Sequence, residues 1–181
     1  MKGSIKALTL VELLVTLSVV GILMTSATSF GSYIENTKAR SDIKQLRRVL
    51  SYARNIATLE KQNIVLCPLD TNGSCQRAWN QELTLFSDTN RDQKLDPLEE
   101  VHTRIKPLPA TIASRNFQRS ALIYFPTGFS TTGTLSYCAS TTPPISYAFI
   151  LSRVGRIRPG EDNNNNHIAE NASNQDIPCP K

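Results

Sequence analysis

From Leu8 to Ala27 the chain reads LTLVELLVTLSVVGILMTSA, twenty residues interrupted by one charge, Glu12. Coiled as a helix, such a run spans about 30 Å, the thickness of a bilayer core. The pattern then turns amphipathic: Leu46, Val49, Leu50, Ala53 and Ala57 follow i, i+3, i+4 spacing, while Lys44, Arg47, Arg48 and Arg54 occupy other faces. No proline precedes Pro68, so one continuous helix from Leu8 to about Leu59 is predicted, roughly 75 to 80 Å long. Its basic residues read most simply as a solvated face. Beyond Lys61 the period shortens. Asn63 to Cys67, Glu82 to Ser87, Val101 to Ile105, Ala121 to Phe125, Thr134 to Ala139 and Ser146 to Ser152 are short apolar or alternating runs, separated by Asn-Gly, Pro-Thr-Gly, Thr-Thr-Gly and Pro-Pro. The class predicted is α+β: a long N-terminal helix, its amphipathic half packed on an antiparallel sheet domain. From Gly160 to Lys181, with its Asn163 to Asn166 tract, apolar residues almost vanish. This tail is expected to be mobile except where Cys179 ties it down.

Charge changes this picture little. The formal net charge is +5 over 181 residues, too small an excess to announce a nucleic-acid binder, so where the cations sit matters more than their total. Cysteines add more. Cys67, Cys75, Cys138 and Cys179 form no CxxC pair, and neither His102 nor His167 lies near one, which disfavours zinc. An even count downstream of an export segment reads as two disulfides in an oxidising compartment. Three pairings are possible. The favoured one joins Cys67 to Cys75 across a short polar loop and Cys138 to Cys179 as a staple on the tail.

Three readings compete for the apolar N-terminus. A secretory signal peptide could be cut after Thr25-Ser26-Ala27, and a plain anchor would simply stay in the bilayer. Glu12 argues against both, because a carboxylate inside an apolar run is costly and marks a function. Lys2 and Lys6 precede the run without a nearby acid, which keeps the short N-terminus in the cytoplasm and sends the rest outward. The string Ala7-Leu8-Thr9-Leu10-Val11-Glu12-Leu13-Leu14 resembles the type IV prepilin cleavage site. There a short basic leader ends in a small residue and the mature chain begins apolar, with glutamate as its fifth residue. Ala7 and Leu8 stand where that family usually has glycine and phenylalanine.

The resemblance implies a leader at 1–7 removed by a prepilin peptidase, which also methylates the new amino group of Leu8. Together with the residue pattern it divides the chain into a membrane or filament-core helix at 8–30, an amphipathic helix at 31–60 and a β-rich domain at 61–158, with the polar tail at 159–181 outside the resemblance. In a filament, Glu12 can pair with the N-terminal ammonium of a neighbouring pilin, each ion offsetting the other's desolvation. A simpler role, complementing the positive end of its own helix, is also available. The implied location is the inner membrane, the β domain periplasmic, and then the extracellular filament.

Later motifs narrow the resemblance. Trp79, Leu83-Thr84-Leu85-Phe86, the acidic turn at Asp88, the strand ending in Ile105, Ile123-Tyr124-Phe125-Pro126-Thr127-Gly128 and Ser152-Arg153-Val154-Gly155-Arg156-Ile157-Arg158 are similar, in order, to the FimT/GspH family of minor pilins and pseudopilins.

Two constellations carry candidate chemistry. Asp88, Asn90, Asp92, Asp96 and Glu99 match the first, third, fifth, ninth and twelfth positions of a calcium-binding EF-hand loop. Gln93 stands where that loop needs glycine, and the flanks read as strands, so a hairpin built on Asp and Asn side chains is the competing reading. The other is Arg153-Val-Gly155-Arg156-Ile157-Arg158-Pro-Gly160. On an extended stretch, Arg156 and Arg158 share one face with Ile157 turned inward. Paired guanidinium groups suit phosphate oxygens and read no base, so binding would be salt-sensitive and sequence-independent. The bland alternative is edge-strand charges that oppose aggregation.

By resemblance, the Gly-Arg-x-Arg pattern looks like the one with which FimT-type minor pilins bind double-stranded DNA in natural transformation. Arg153, and Lys181 if the tail is stapled nearby, extend the patch. The alternatives are a type II secretion pseudopilin without DNA binding and a calcium-dependent scaffold subunit. No catalytic set or cofactor motif is visible: His102 and His167 are isolated, and no serine or threonine has a paired base.

Overall fold

A fifty-one-residue helix, α1 (Leu10–Glu60), runs the length of the N-terminal third. The computed structural model describes residues 9–109, 113–141, 144–166 and 168–177, the side chains of 22–32 excepted. Thr9 caps the helix, its hydroxyl accepting the Glu12 N–H at 3.3 Å, and Glu12 occupies the positively polarised first turn. Lys61 closes it in the left-handed region, at φ 56°.

The two halves of α1 differ in what covers them. In the first, Leu10, Val11, Leu13, Leu14, Val15 and Leu17 are exposed. In the second, Ala39, Leu46, Val49, Leu50, Ala53, Ile56 and Ala57 are buried, a stripe of helical period as the spacing predicts. Among the described residues no helix is long and apolar enough to cross a membrane. The expected span at 8–30 lies partly outside them, since Leu8 and the side chains from Ile22 to Phe30 are not described.

Among the described residues eight strands follow, β1 (Asn63–Pro68), β2 (Leu83–Asp88), β3 (Val101–Ile105), β4 (Ala113–Asn116), β5 (Leu122–Tyr124), β6 (Gly133–Ala139), β7 (Ile145–Leu151) and β8 (Ile157–Pro159). They form two antiparallel sheets, ordered β3-β2-β1-β5 and β4-β6-β7-β8. Helix α1 packs on β1 and β5 of the first sheet and on β7 of the second. Its stripe thus shares one core with Leu66, Leu85, Tyr124, Leu135 and Phe149. Each fully buried Leu there contributes about 1.5 to 3 kcal/mol.

Strands β1 and β2 are buried at every position, because both faces are covered. The helix takes one. On the other, Val65, Cys67, Phe86 and Ala121 form a second cluster with Leu69, Cys75 and Leu95. Cys67 and Cys75 are disulfide-bonded across it, Cα atoms 5.6 Å apart. Cys138 is also in a disulfide, while its expected partner Cys179 lies outside the described residues.

The sequence anticipated neither β4 nor the packing of the tail. Strand β4 reads Ala-Ser-Arg-Asn, and its inward position after Ala113 is a charged one, Arg115, 4% exposed. Three main-chain carbonyls surround that guanidinium: Nε donates to Trp79 O at 3.0 Å, and Nη2 to Gln81 O at 2.9 Å and Lys106 O at 3.2 Å. Burial lowers its pKa to about 10, countered in part by Asp42. The tail, expected to be tied only at Cys179, instead folds back over the second sheet. Ala169 and Ile177 bury themselves against Ala148 and Ile150. Its asparagines work locally: Asn164 and Asn166 donate to Asp176 at 3.0 and 2.6 Å, and Asn163 to Glu170 at 2.8 Å. Two apolar anchors and satisfied amides hold a segment whose composition reads as disordered.

Candidate nucleic-acid interface

The turn between β7 and β8 is held from three sides. Within it, Gly155 N–H donates to Ser152 O at 2.9 Å, and Arg156 N–H to Ser152 Oγ at 3.2 Å. From the β5–β6 connection, Ser130 donates its N–H to Arg153 O and its hydroxyl to Ser152 O, both at 3.0 Å. From α1, Arg54 Nη2 donates to Val154 O at 3.2 Å. Gly155 is the contact point. It sits at φ 72°, and a Cβ there would lie 2.0 Å from Gly128 O and 3.1 Å from Arg54 Nε, so no side chain fits. Two motifs noted separately in the sequence, Pro126-Thr127-Gly128 and Gly155-Arg-x-Arg, therefore meet back to back.

Past this knot the chain enters β8, the edge strand of the second sheet, where Arg158 opposes Ile150 and Ile157 opposes Leu151. Ile157 packs on the main core. Arg156 and Arg158, on either side of it, are exposed, as are Arg153 and Val154. An alternating edge strand so directs both guanidinium groups away from the core. Lys181 lies outside the described residues. Sequence reasoning left Arg54 on a solvated face. Its partner carbonyl is 100 residues away, and no local pattern signals such a contact.

The acidic string forms the β2–β3 connection, with its side chains directed to main-chain donors. Asp88 accepts the N–H groups of Asp92 at 3.1 Å and Gln93 at 3.2 Å, and Glu99 those of Thr89 at 2.8 Å and Asp96 at 3.1 Å. The Asn90 amide donates to Asp92 and Asp96 at 3.1 and 2.9 Å. Gln93 takes φ 59°, the left-handed bend that glycine makes in a calcium loop. Burial raises the Asp88 pKa, with the Gln93 N–H opposing it. Among the described residues, no group of three or more His, Cys, Asp or Glu side chains could hold a metal ion.

His102, isolated in sequence, is not isolated in space: Nε2 lies 2.8 Å from Ser87 Oγ and 3.9 Å from Glu60 Oε2, with the Tyr52 ring edge-on. This cluster seals the C-terminal end of α1 against β2 and β3. Ser87, 3% exposed, offers no access to a substrate. At the other end of the helix Glu12 is exposed, while Ala7 and Leu8 lie outside the described residues.

A helix whose described residues from Leu10 to Val20 are largely apolar and uncovered, docked by its second half across two antiparallel sheets, has the architecture of a type IV pilin-like subunit. Residues 42–155 match the family described as Type II transport protein GspH, and the chain belongs to that family of minor pilins and pseudopilins. In fold it is similar to the type IV minor pilin FimU of Pseudomonas aeruginosa, with a TM-score of 0.52 and 19% identity over 70% of this chain and 90% of that one. It is also similar to EpsH, a minor pseudopilin from the type 2 secretion system of Vibrio cholerae, with a TM-score of 0.50 and 17% identity over 67% of this chain and 94% of that one. No curated protein sequence matches.

Proposed function

We propose that this subunit is a FimT-like minor type IV pilin that binds extracellular double-stranded DNA through Arg156 and Arg158, supporting uptake in natural transformation. The observation that carries the reading is the braced turn. Gly155 locked against Gly128 O, with Ser130 and Arg54 on the turn carbonyls, presents two exposed guanidinium groups from an edge strand, neither of them in an ion pair among the described residues. The brace fixes where the two side chains leave the main chain, and the pair has no base-reading partner, so binding is independent of sequence. Arg153 adds charge beside it, and Lys181 joins if Cys138 pairs with Cys179.

The processing scheme belongs to the same proposal. A prepilin peptidase cuts between Ala7 and Leu8, the helix from Leu8 onward sits in the inner membrane with the β domain in the periplasm, and other pilins then cover its apolar half in the filament. Glu12 pairs with a neighbour's terminal ammonium there. N-terminal sequencing of the protein from its host should begin at Leu8; a start just past Ala27 would sink this scheme.

The test of the DNA reading is titration of the detergent-solubilised chain with duplexes of unrelated sequence. Arg156→Gln/Arg158→Gln should lose most of the affinity for all of them equally. Binding that persists unchanged in that variant removes the site, and no binding by the unaltered chain at low salt removes the function. The second reading, a secretion pseudopilin without DNA binding, is favoured by the likeness to EpsH and by the family's description. It predicts that outcome, together with secretion genes rather than pilus genes beside this one.

A further inference from the structure

We propose that Arg40, Lys44, Arg47 and Arg54 of α1 form, together with Arg156, a continuous phosphate track, so that a duplex lies along the helix instead of touching only the β7–β8 turn. This rests on the DNA-binding reading and extends it from a point contact to a path. The four helix cations stand at i, i+4, i+7 and i+14, spacings that return to one face. From Arg40 to Arg54 the rise is about 21 Å, a length over which each DNA strand carries on the order of six phosphates.

The fold connects this stripe to the turn. Arg47, Arg54 and Arg156 line one cleft of about 350 Å³, with Gly155 in its wall. Arg47 also belongs to an adjoining cleft of about 630 Å³, whose helix side carries Arg40 and Lys44. Arg54 is the joint, since its guanidinium already holds the turn through Val154 O.

Charge balance argues against a merely solvated face. Between Lys38 and Arg54 the helix carries six cations and a single acid, Asp42, and Asp42 accepts the buried Tyr137 hydroxyl at 3.1 Å. Among the described residues none of the stripe's cations makes an ion pair with a carboxylate. Among the described residues Asp162 is the carboxylate lining the wider cleft, and it comes from the tail side, leaving the helix side of that cleft of one sign. A solvated helix face commonly interleaves both signs, because like charges at i+3 and i+4 repel. A one-sign stripe carries that repulsion until a polyanion relieves it, and a regular line of anions along one axis is what nucleic acid supplies.

The test is fluorescence anisotropy of a labelled duplex with the detergent-solubilised full chain, repeated across a salt series. Lys44→Gln/Arg47→Gln removes two exposed charges that make no hydrogen bond or ion pair among the described residues, and circular dichroism checks that the helix persists. The slope of log affinity against log salt should fall by about 2, close to one unit per lost phosphate contact, with equal weakening on every sequence. An unchanged slope in this variant, alongside loss of binding in Arg156→Gln/Arg158→Gln, overturns the track and leaves the turn site standing. An unchanged slope combined with loss of filament incorporation assigns the stripe to an acidic neighbouring subunit, and also overturns it. No binding by the unaltered chain overturns the track and the DNA reading together.

Discussion

Replacing Gly155 by alanine tests the brace that fixes the arginine turn. The substitution adds one methyl and removes no charge, so its effect comes through geometry alone. At φ 72° the new Cβ would stand 2.0 Å from Gly128 O and 3.1 Å from Arg54 Nε. Ordinary contact needs more than 1 Å of extra separation from that oxygen, and the oxygen belongs to main chain. The left-handed conformation alone costs a side-chain-bearing residue about 1 to 2 kcal/mol. Forcing a methyl into an occupied space adds about 1 to 3 kcal/mol. The expected loss is therefore about 2 to 5 kcal/mol, a fall in melting temperature of roughly 5 to 15 °C at this chain length. Gly128→Ala should be milder, because its Cβ meets the Thr58 methyl at 3.2 Å and Arg54 Nε at an ordinary 3.9 Å, although φ 77° still carries a backbone cost. Urea denaturation of the detergent-solubilised chain measures both, and DNA titration follows in the same samples. Gly155→Ala should weaken DNA binding with the number of cations unchanged. Should it unfold within about 0.5 kcal/mol of the parent, the ordinary range for an uncrowded surface change, the close approach does not exist and the turn is not braced.

Replacing Cys67 and Cys75 together by serine releases a loop of sequence separation 8 and should cost about 2 to 3 kcal/mol, seen as a lower urea midpoint under conditions that leave the Cys138 disulfide intact. Arg115→Met fills similar volume but strands the carbonyls of Trp79, Gln81 and Lys106. At about 1 to 2 kcal/mol for each lost bond, offset by release of a buried charge, the net loss is about 2 kcal/mol, read in the same unfolding experiment. Tyr124→Phe should raise stability by about 1 kcal/mol, since the Tyr124 hydroxyl is buried with no hydrogen-bond partner among the described residues. Burial raises the Tyr124 pKa above its ordinary value of 10.0, with Arg54 opposing. The unfolded chain therefore loses that proton first, and stability present below pH 10 is lost as the pH climbs past it. Urea midpoints measured between pH 9 and 11 should fall less steeply in Tyr124→Phe than in the parent.

What could be read in advance follows from whether the determining contacts are local. The helix and six of the strands declare themselves through periods of 3.6 and 2, and α1 begins two residues after, and ends one residue after, the bounds the pattern predicts. Strand β4 hides because its inward residue is Arg115, whose partners come from the chain 9 to 36 residues earlier. The tail hides for a related reason: Ala169 and Ile177 are too few to form a pattern, yet they meet a waiting apolar surface at Ala148 and Ile150.

The same distinction separates the arginines. Arg156 and Arg158 stand out because glycine, alternation and a following Pro-Gly give them a local frame. Arg54 and Arg47 carry the same chemistry on a helix where every exposed cation looks alike, and only the closure of Gly155 onto Gly128 brings the turn to their side. The glycine thus has two separable consequences: it permits the turn, and it sets the distance between two basic segments about 100 residues apart. A variant that kept every arginine but moved the turn off the helix would retain the charge and lose its alignment. Its salt slope should then fall although no cation has been removed, because a cation held off the line of phosphates displaces no counterion.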